Sequence, residues 1–102
     1  MFELTTEDEF YTLIKNNKYV LVDFYATWCG PCKRLAQDIE KFHKDNSNLF
    51  VIKVNVDDFN SLCEKYSISS LPTLKLFVDG AEKTELIGYS SNHMNTIKQY
   101  MH

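Results

Sequence analysis

With 102 residues the chain has room for one hydrophobic core and not for two, so a single domain over residues 1–102 is expected. Its net charge of −3 and isoelectric point near 5.5 offer no attraction for nucleic acid or an anionic membrane surface. No apolar run approaches the roughly 20 residues that a membrane-spanning helix needs. Three cysteines are too few for the disulfide framework of a small secreted domain, and two of them lie three positions apart, a spacing suited to redox work in a reducing compartment.

The first residues, Met1-Phe2-Glu3-Leu4, lack a signal-peptide shape and lead straight into an acidic, helix-like segment. An intracellular, cytoplasmic location is therefore expected, although an organelle protein whose targeting segment has been removed would start the same way. Thr6 and Glu9 have the spacing of a capping box, and Phe10, Leu13 and Ile14 recur at helical intervals as far as Asn16-Asn17. Tyr19 to Tyr25 is an apolar run with one charge, Asp23, and fits a strand covered on both faces. A helix is expected from about Pro31 to His43, with Leu35, Ile39 and Phe42 along one side.

The polar loop 45–48 leads into a strand, Leu49 to Val56, rich in β-branched residues. A short helix over Asp58 to Lys65 follows. Two strands, Leu74 to Val78 and Lys83 to Ile87, are joined at Asp79-Gly80, a hairpin signal. Ser90-Ser91-Asn92 offers a cap for a last helix whose apolar side is Met94, Ile97, Tyr100 and Met101. Alternation of strand and helix followed by a hairpin gives an α/β fold, a mixed central β-sheet flanked by helices on both faces.

Trp28-Cys29-Gly30-Pro31-Cys32 is the stretch with chemistry in it. Residues three apart share a helix face, so the two sulfurs can close a small ring across the first turn. Pro31 suits that turn because its missing N–H is not needed there, and Gly30 lets the chain turn tightly out of the strand. The unpaired N–H groups and positive dipole end favour a thiolate at Cys29. A Cys-x-x-Cys pair by itself also fits half of a zinc site or a different redox fold. Zinc needs four ligands, only Cys63 could join the pair from cysteine, and His43, His93 and His102 have no ligand spacing and read as surface residues.

The longer run Asp23-Phe24-Tyr25-Ala26-Thr27-Trp28-Cys29-Gly30-Pro31-Cys32-Lys33 resembles the active-site signature of the thioredoxins, and the resemblance extends over nearly the whole chain. It implies the thioredoxin fold and a protein-disulfide reductase that carries electrons between Cys29 and Cys32 with no bound cofactor. It implies re-reduction by a thioredoxin reductase, and clients of the kind the family serves, such as peroxiredoxins or ribonucleotide reductase. A monomer is expected.

The resemblance also assigns roles. A buried aspartate at Asp23 would assist deprotonation of Cys32, where a bland reading puts it at a strand end in water. Lys53, in a Lys-x-Asn-x-Asp context, would lie near Asp23, where a bland reading is a strand lysine reaching solvent. Leu71-Pro72-Thr73 resembles the family's cis-proline loop, where a bland reading is a strand-start proline. Trp28, Gly30, Pro31, Leu71, Pro72, Gly88 and Tyr89 would form the groove that receives an extended client peptide. Cys63 matches no catalytic position and reads as a buried, inert thiol, with a regulatory disulfide as the alternative.

Three positions depart from the common family pattern: Tyr25 in place of tryptophan, Gln37 in place of a helix-kinking proline, and Ser67 in place of a glycine. None touches the dithiol. The Gly-Pro pair between the cysteines resembles reducing members; an oxidant or isomerase domain, and a binding module with incidental thiols, are the rival readings.

Overall fold

Seven consecutive residues, Tyr19–Tyr25, form the middle strand of a five-stranded sheet, and all but Tyr25 are buried. The computed structural model describes residues 1–101. In chain order the elements are β1 (Phe2–Glu3), α1 (Glu7–Asn16), β2 (Tyr19–Tyr25), α2 (Gly30–Asp45), β3 (Leu49–Asn55), α3 (Asn60–Lys65), β4 (Thr73–Val78), β5 (Ala81–Ile87) and α4 (His93–Gln99). The sheet order is β1-β3-β2-β4-β5. β1, β3 and β2 run parallel, while β4 is antiparallel to both β2 and β5. The expected mixed sheet is what forms.

Strand alternation divides the core in two. Val20, Val22 and Phe24 join Ile52, Val54 and Phe77 on one face, covered by Phe10 and Ile14 of α1 and Leu62 of α3. Tyr19 and Leu21 join Leu49, Val51, Leu74 and Leu76 on the other, covered by Leu35 and Ile39 of α2 and Ile97 of α4. Asp23 continues the second series and therefore faces α2.

Local signals held where they were short-range. Thr6 and Glu9 close the capping box: Glu9 N donates to Thr6 Oγ1 at 3.3 Å and Thr6 N to Glu9 Oε1 at 3.1 Å. Asn17 ends α1, its Nδ2 donating to Leu13 O at 2.9 Å. Asp79 and Gly80 have φ of 51° and 84°, the two positive values that a tight hairpin turn requires.

Several expectations are corrected. The first residues form β1, which pairs Phe2 with Ile52 and Glu3 with Lys53. A two-residue strand is too short to show periodicity, and only its partner strand creates it. α2 begins one residue earlier than expected and continues unbroken past Gln37 to Asp45, α3 begins at Asn60, and β5 begins at Ala81. His93 is buried, with its Nε2 2.9 Å from the Gly88 carbonyl oxygen. A carbonyl only accepts, so Nε2 carries the proton. His43 is half-buried, and His102 lies outside the described residues.

β5 carries a bulge between its pairings Leu76–Thr84 and Phe77–Glu82. The extra residue, Lys83, brings Glu82 and Glu85 to the same side of the strand, although a spacing of three would otherwise separate them. Both reach the buried Lys75, each at 2.8 Å. Burial acts to lower the Lys75 pKa, but the bonds to Glu82 and Glu85 outweigh it and hold the ammonium above its ordinary range.

Candidate active site

Cys29 is the N-cap of α2, Pro31 lies in the first turn, and no acidic residue occupies that turn. The Cys29 and Cys32 Cα atoms are 5.3 Å apart and their sulfurs are joined in a disulfide, so this is the oxidised form. Cys32 N donates to Cys29 Sγ at 3.2 Å. In the reduced form the same amide, with the helix dipole behind it, favours the Cys29 thiolate over the thiol. Both cysteines are nearly buried, at 6% and 2% exposure, and pack with Ala26, Tyr25, Val56 and Leu71.

The Leu71–Pro72 peptide is cis, as the resemblance implied. Pro72 is buried and Leu71 half-buried, with Leu71 against the cysteine pair. Gly88 N donates to Pro72 O at 2.8 Å, which joins the two loops that flank the pair. Gly88 has φ of 75°, the left-handed conformation that explains a glycine here. Gly30 and Pro31 are exposed beside Cys29.

Trp28 is 70% exposed, so it is not a core residue. Its Nε1 donates to Asp57 Oδ2 at 3.0 Å. Asp57 is in turn fixed by its own N–H on Asn55 Oδ1 at 3.0 Å. The Lys-x-Asn-x-Asp context contained Asp57, but its partner could not be named without the fold. The Tyr89 side chain is tied to α2. Its hydroxyl donates to Asp38 Oδ2 at 2.8 Å and Arg34 lies over its ring at 4.9 Å, so the side chain turns back onto α2.

Asp23 is 1% exposed, which excludes the strand-end reading, and neither carboxyl oxygen has a hydrogen-bond partner. Burial raises its pKa to about 7, against a lowering by Lys53 and a smaller raising by Glu3. Lys53 is the register partner of Asp23 on β3 and shares its face of the sheet. A cavity of about 230 Å³ between β2, β3 and α2 is lined by both Cys32 and Lys53. Cys63, in contrast, is half-buried on α3 and outside the disulfide, its thiol pushed up by burial and by Asp57.

The thioredoxin family model matches residues 1–102. Thioredoxin-1 of Saccharomyces cerevisiae is 42% identical over 84% of this chain and 84% of its own length. The structure of Plasmodium falciparum thioredoxin is 37% identical, covers 98% of this chain and 99% of its own, and superposes with a TM-score of 0.91. A structure from yeast, described for the thiol resolving mechanism in a mitochondrial 1-Cys peroxiredoxin via glutathione/thioredoxin systems, is 31% identical over 97% of this chain and 94% of its own, also at 0.91. This chain belongs to the thioredoxin family and is a thiol–disulfide oxidoreductase working by dithiol–disulfide exchange through Cys29 and Cys32.

Proposed function

We propose that the chain is a general electron carrier that reduces disulfides of client proteins in the cytoplasm, as a monomeric single domain. The observation that carries this reading is Cys29 at the N-cap of α2 with Cys32 N–H on its sulfur, which favours the thiolate and so makes Cys29 the attacking nucleophile at neutral pH.

In this reading the Cys29 thiolate attacks one sulfur of the client disulfide. A mixed disulfide forms and the client's other sulfur leaves as a thiolate. Cys32 then gives its proton to the Asp23 carboxylate and attacks Cys29 Sγ, forming the Cys29–Cys32 disulfide and releasing the reduced client. Two electrons pass to the client, and a thioredoxin reductase returns them. Trp28, Gly30, Pro31, Leu71, Pro72 and Gly88 line the path of an extended client segment, with Leu71 backbone groups available for strand-like pairing. Tyr89 then serves this path through its backbone and through the anchoring of its side chain on Asp38. Peroxiredoxins and ribonucleotide reductase are clients of the right chemistry. The first is supported by the similar yeast structure, which concerns a 1-Cys peroxiredoxin resolved via glutathione/thioredoxin systems.

The test is the reduction potential of the Cys29–Cys32 couple by equilibration with glutathione. For two electrons each ~30 mV is tenfold in the equilibrium constant. A value well below the glutathione couple supports the reductase reading, and one near those of isomerases or oxidants sinks it.

A further inference from the structure

The row of register partners across the parallel half of the sheet is Glu3 on β1, Lys53 on β3 and Asp23 on β2. One acid lies on each side of the lysine. The Lys53 ammonium does not form a hydrogen bond with Asp23; it sits over the Tyr25 ring, 4.4 Å from the centroid. Tyr25 is on the same face of β2, two residues beyond Asp23, and its hydroxyl donates to Glu3 Oε2 at 2.7 Å. Glu3 thus fixes the ring, and the ring holds the cation.

We propose that Glu3 and Tyr25 are positioning residues that hold the Lys53 ammonium away from Asp23 and so keep Asp23 a proton acceptor for Cys32. The inference rests on the reductase reading, in which Asp23 takes that proton. A cation in contact with a carboxylate stabilises its charged form and weakens it as a base, whereas a cation held against an aromatic face keeps only a longer-range influence. The titratable and charged groups on the Asp23 face of the sheet are Lys53 from β3, Glu3 from β1 and Tyr25 from its own strand, and Lys53 and Tyr25 line a cavity together with Cys32 and Lys33 of α2. On β4 its cross-strand partner is Leu74, which is apolar. Glu3 acts on Asp23 directly by its charge and, in this proposal, also through Tyr25 and Lys53, and only the second part depends on Lys53 being present.

The test is a titration of Asp23 by carboxyl NMR in the reduced protein, for the parent, Glu3→Gln, Tyr25→Leu, Lys53→Gln and the Glu3→Gln/Lys53→Gln double variant. Glu3→Gln and Tyr25→Leu each lower the Asp23 midpoint by about half a pH unit, and Lys53→Gln raises it. In the Lys53→Gln background the effect of Glu3→Gln shrinks to less than half. Glu3 is exposed, so its variant folds and reports even where Tyr25→Leu does not. An unmoved midpoint in Glu3→Gln, or an equal shift with and without Lys53, overturns the proposal. Reduction of a model protein disulfide by the parent is measured in parallel. Failure there counts against the reductase reading and leaves the titration result standing on its own.

Discussion

Asp23 and Lys53 are register partners on one face of the sheet, yet no hydrogen bond joins them. The carboxyl is buried without a partner and the ammonium lies on the Tyr25 ring. An unpaired buried carboxylate is costly in its charged form, so the group stays protonated to near neutral pH. In the proposed mechanism that property serves proton transfer, and it works against stability.

The stability cost depends on pH with a definite sign. Asp23 titrates at about 7 in the folded protein, against 3.8 for the unperturbed group. Between those values the folded chain holds the proton and the unfolded chain does not. Stability from this group is therefore fully present below about pH 4 and is lost as pH rises through about 7, for a total of about 4 kcal/mol. Asp23→Asn removes most of that decline. Urea unfolding at pH 5 and pH 8 checks it, and equal declines in parent and variant would sink the assignment.

The two cysteines have unequal roles. With Cys32→Ser, a mixed disulfide between Cys29 and a client accumulates and survives non-reducing gel separation. With Cys29→Ser, client reduction falls by at least about 10³-fold, because Cys32 lies within α2, off the N-cap position that favours a thiolate at Cys29. Trapping through Cys32 in place of Cys29 would reverse the order of attack.

Ser67 completes the C-terminal cap of α3. Its N–H donates to Glu64 O at 3.1 Å and Ile68 N–H to Cys63 O at 2.9 Å, with Ser67 at φ of 55°. This is the paired-bond helix stop in which the left-handed residue is usually glycine. Serine bears the steric cost of that conformation, so Ser67→Gly raises stability by about 1 kcal/mol. The unfolding midpoint in urea reads it; no change would mean that the strain is relieved elsewhere.

Lys75 gives a contrast of sign. Its ammonium is buried, whereas Glu82 and Glu85 reach it from the exposed edge strand. Glu82→Gln with Glu85→Gln leaves a buried charge unpaired and costs about 3 kcal/mol, while Lys75→Met leaves two carboxylates in water and changes stability by less than about 1 kcal/mol. Thermal unfolding of the two variants distinguishes them, and equal losses would show that Lys75 contributes mainly through packing.

The dithiol, the capping box of α1, the Asp79-Gly80 turn and the alternation of apolar runs that makes a mixed α/β sheet are all legible in the chain itself. Each is encoded within a few residues, where spacing and backbone preference act directly. Reading Cys29-Gly30-Pro31-Cys32 as a redox site drew only on near neighbours, Trp28 and the strand before it. β1 and the burial of His93 were invisible, because a two-residue strand exists only through its partner β3 and the hydrogen bond from His93 Nε2–H to the Gly88 carbonyl forms only in the folded chain. The bulge at Lys83 likewise shows only in pairing. That Glu3, Lys53 and Asp23 share one row, and that Tyr25 holds the cation, follows from the folded arrangement and from nothing shorter in range. These four residues span three strands, and their relation is set by the register of parallel strands that no local pattern records.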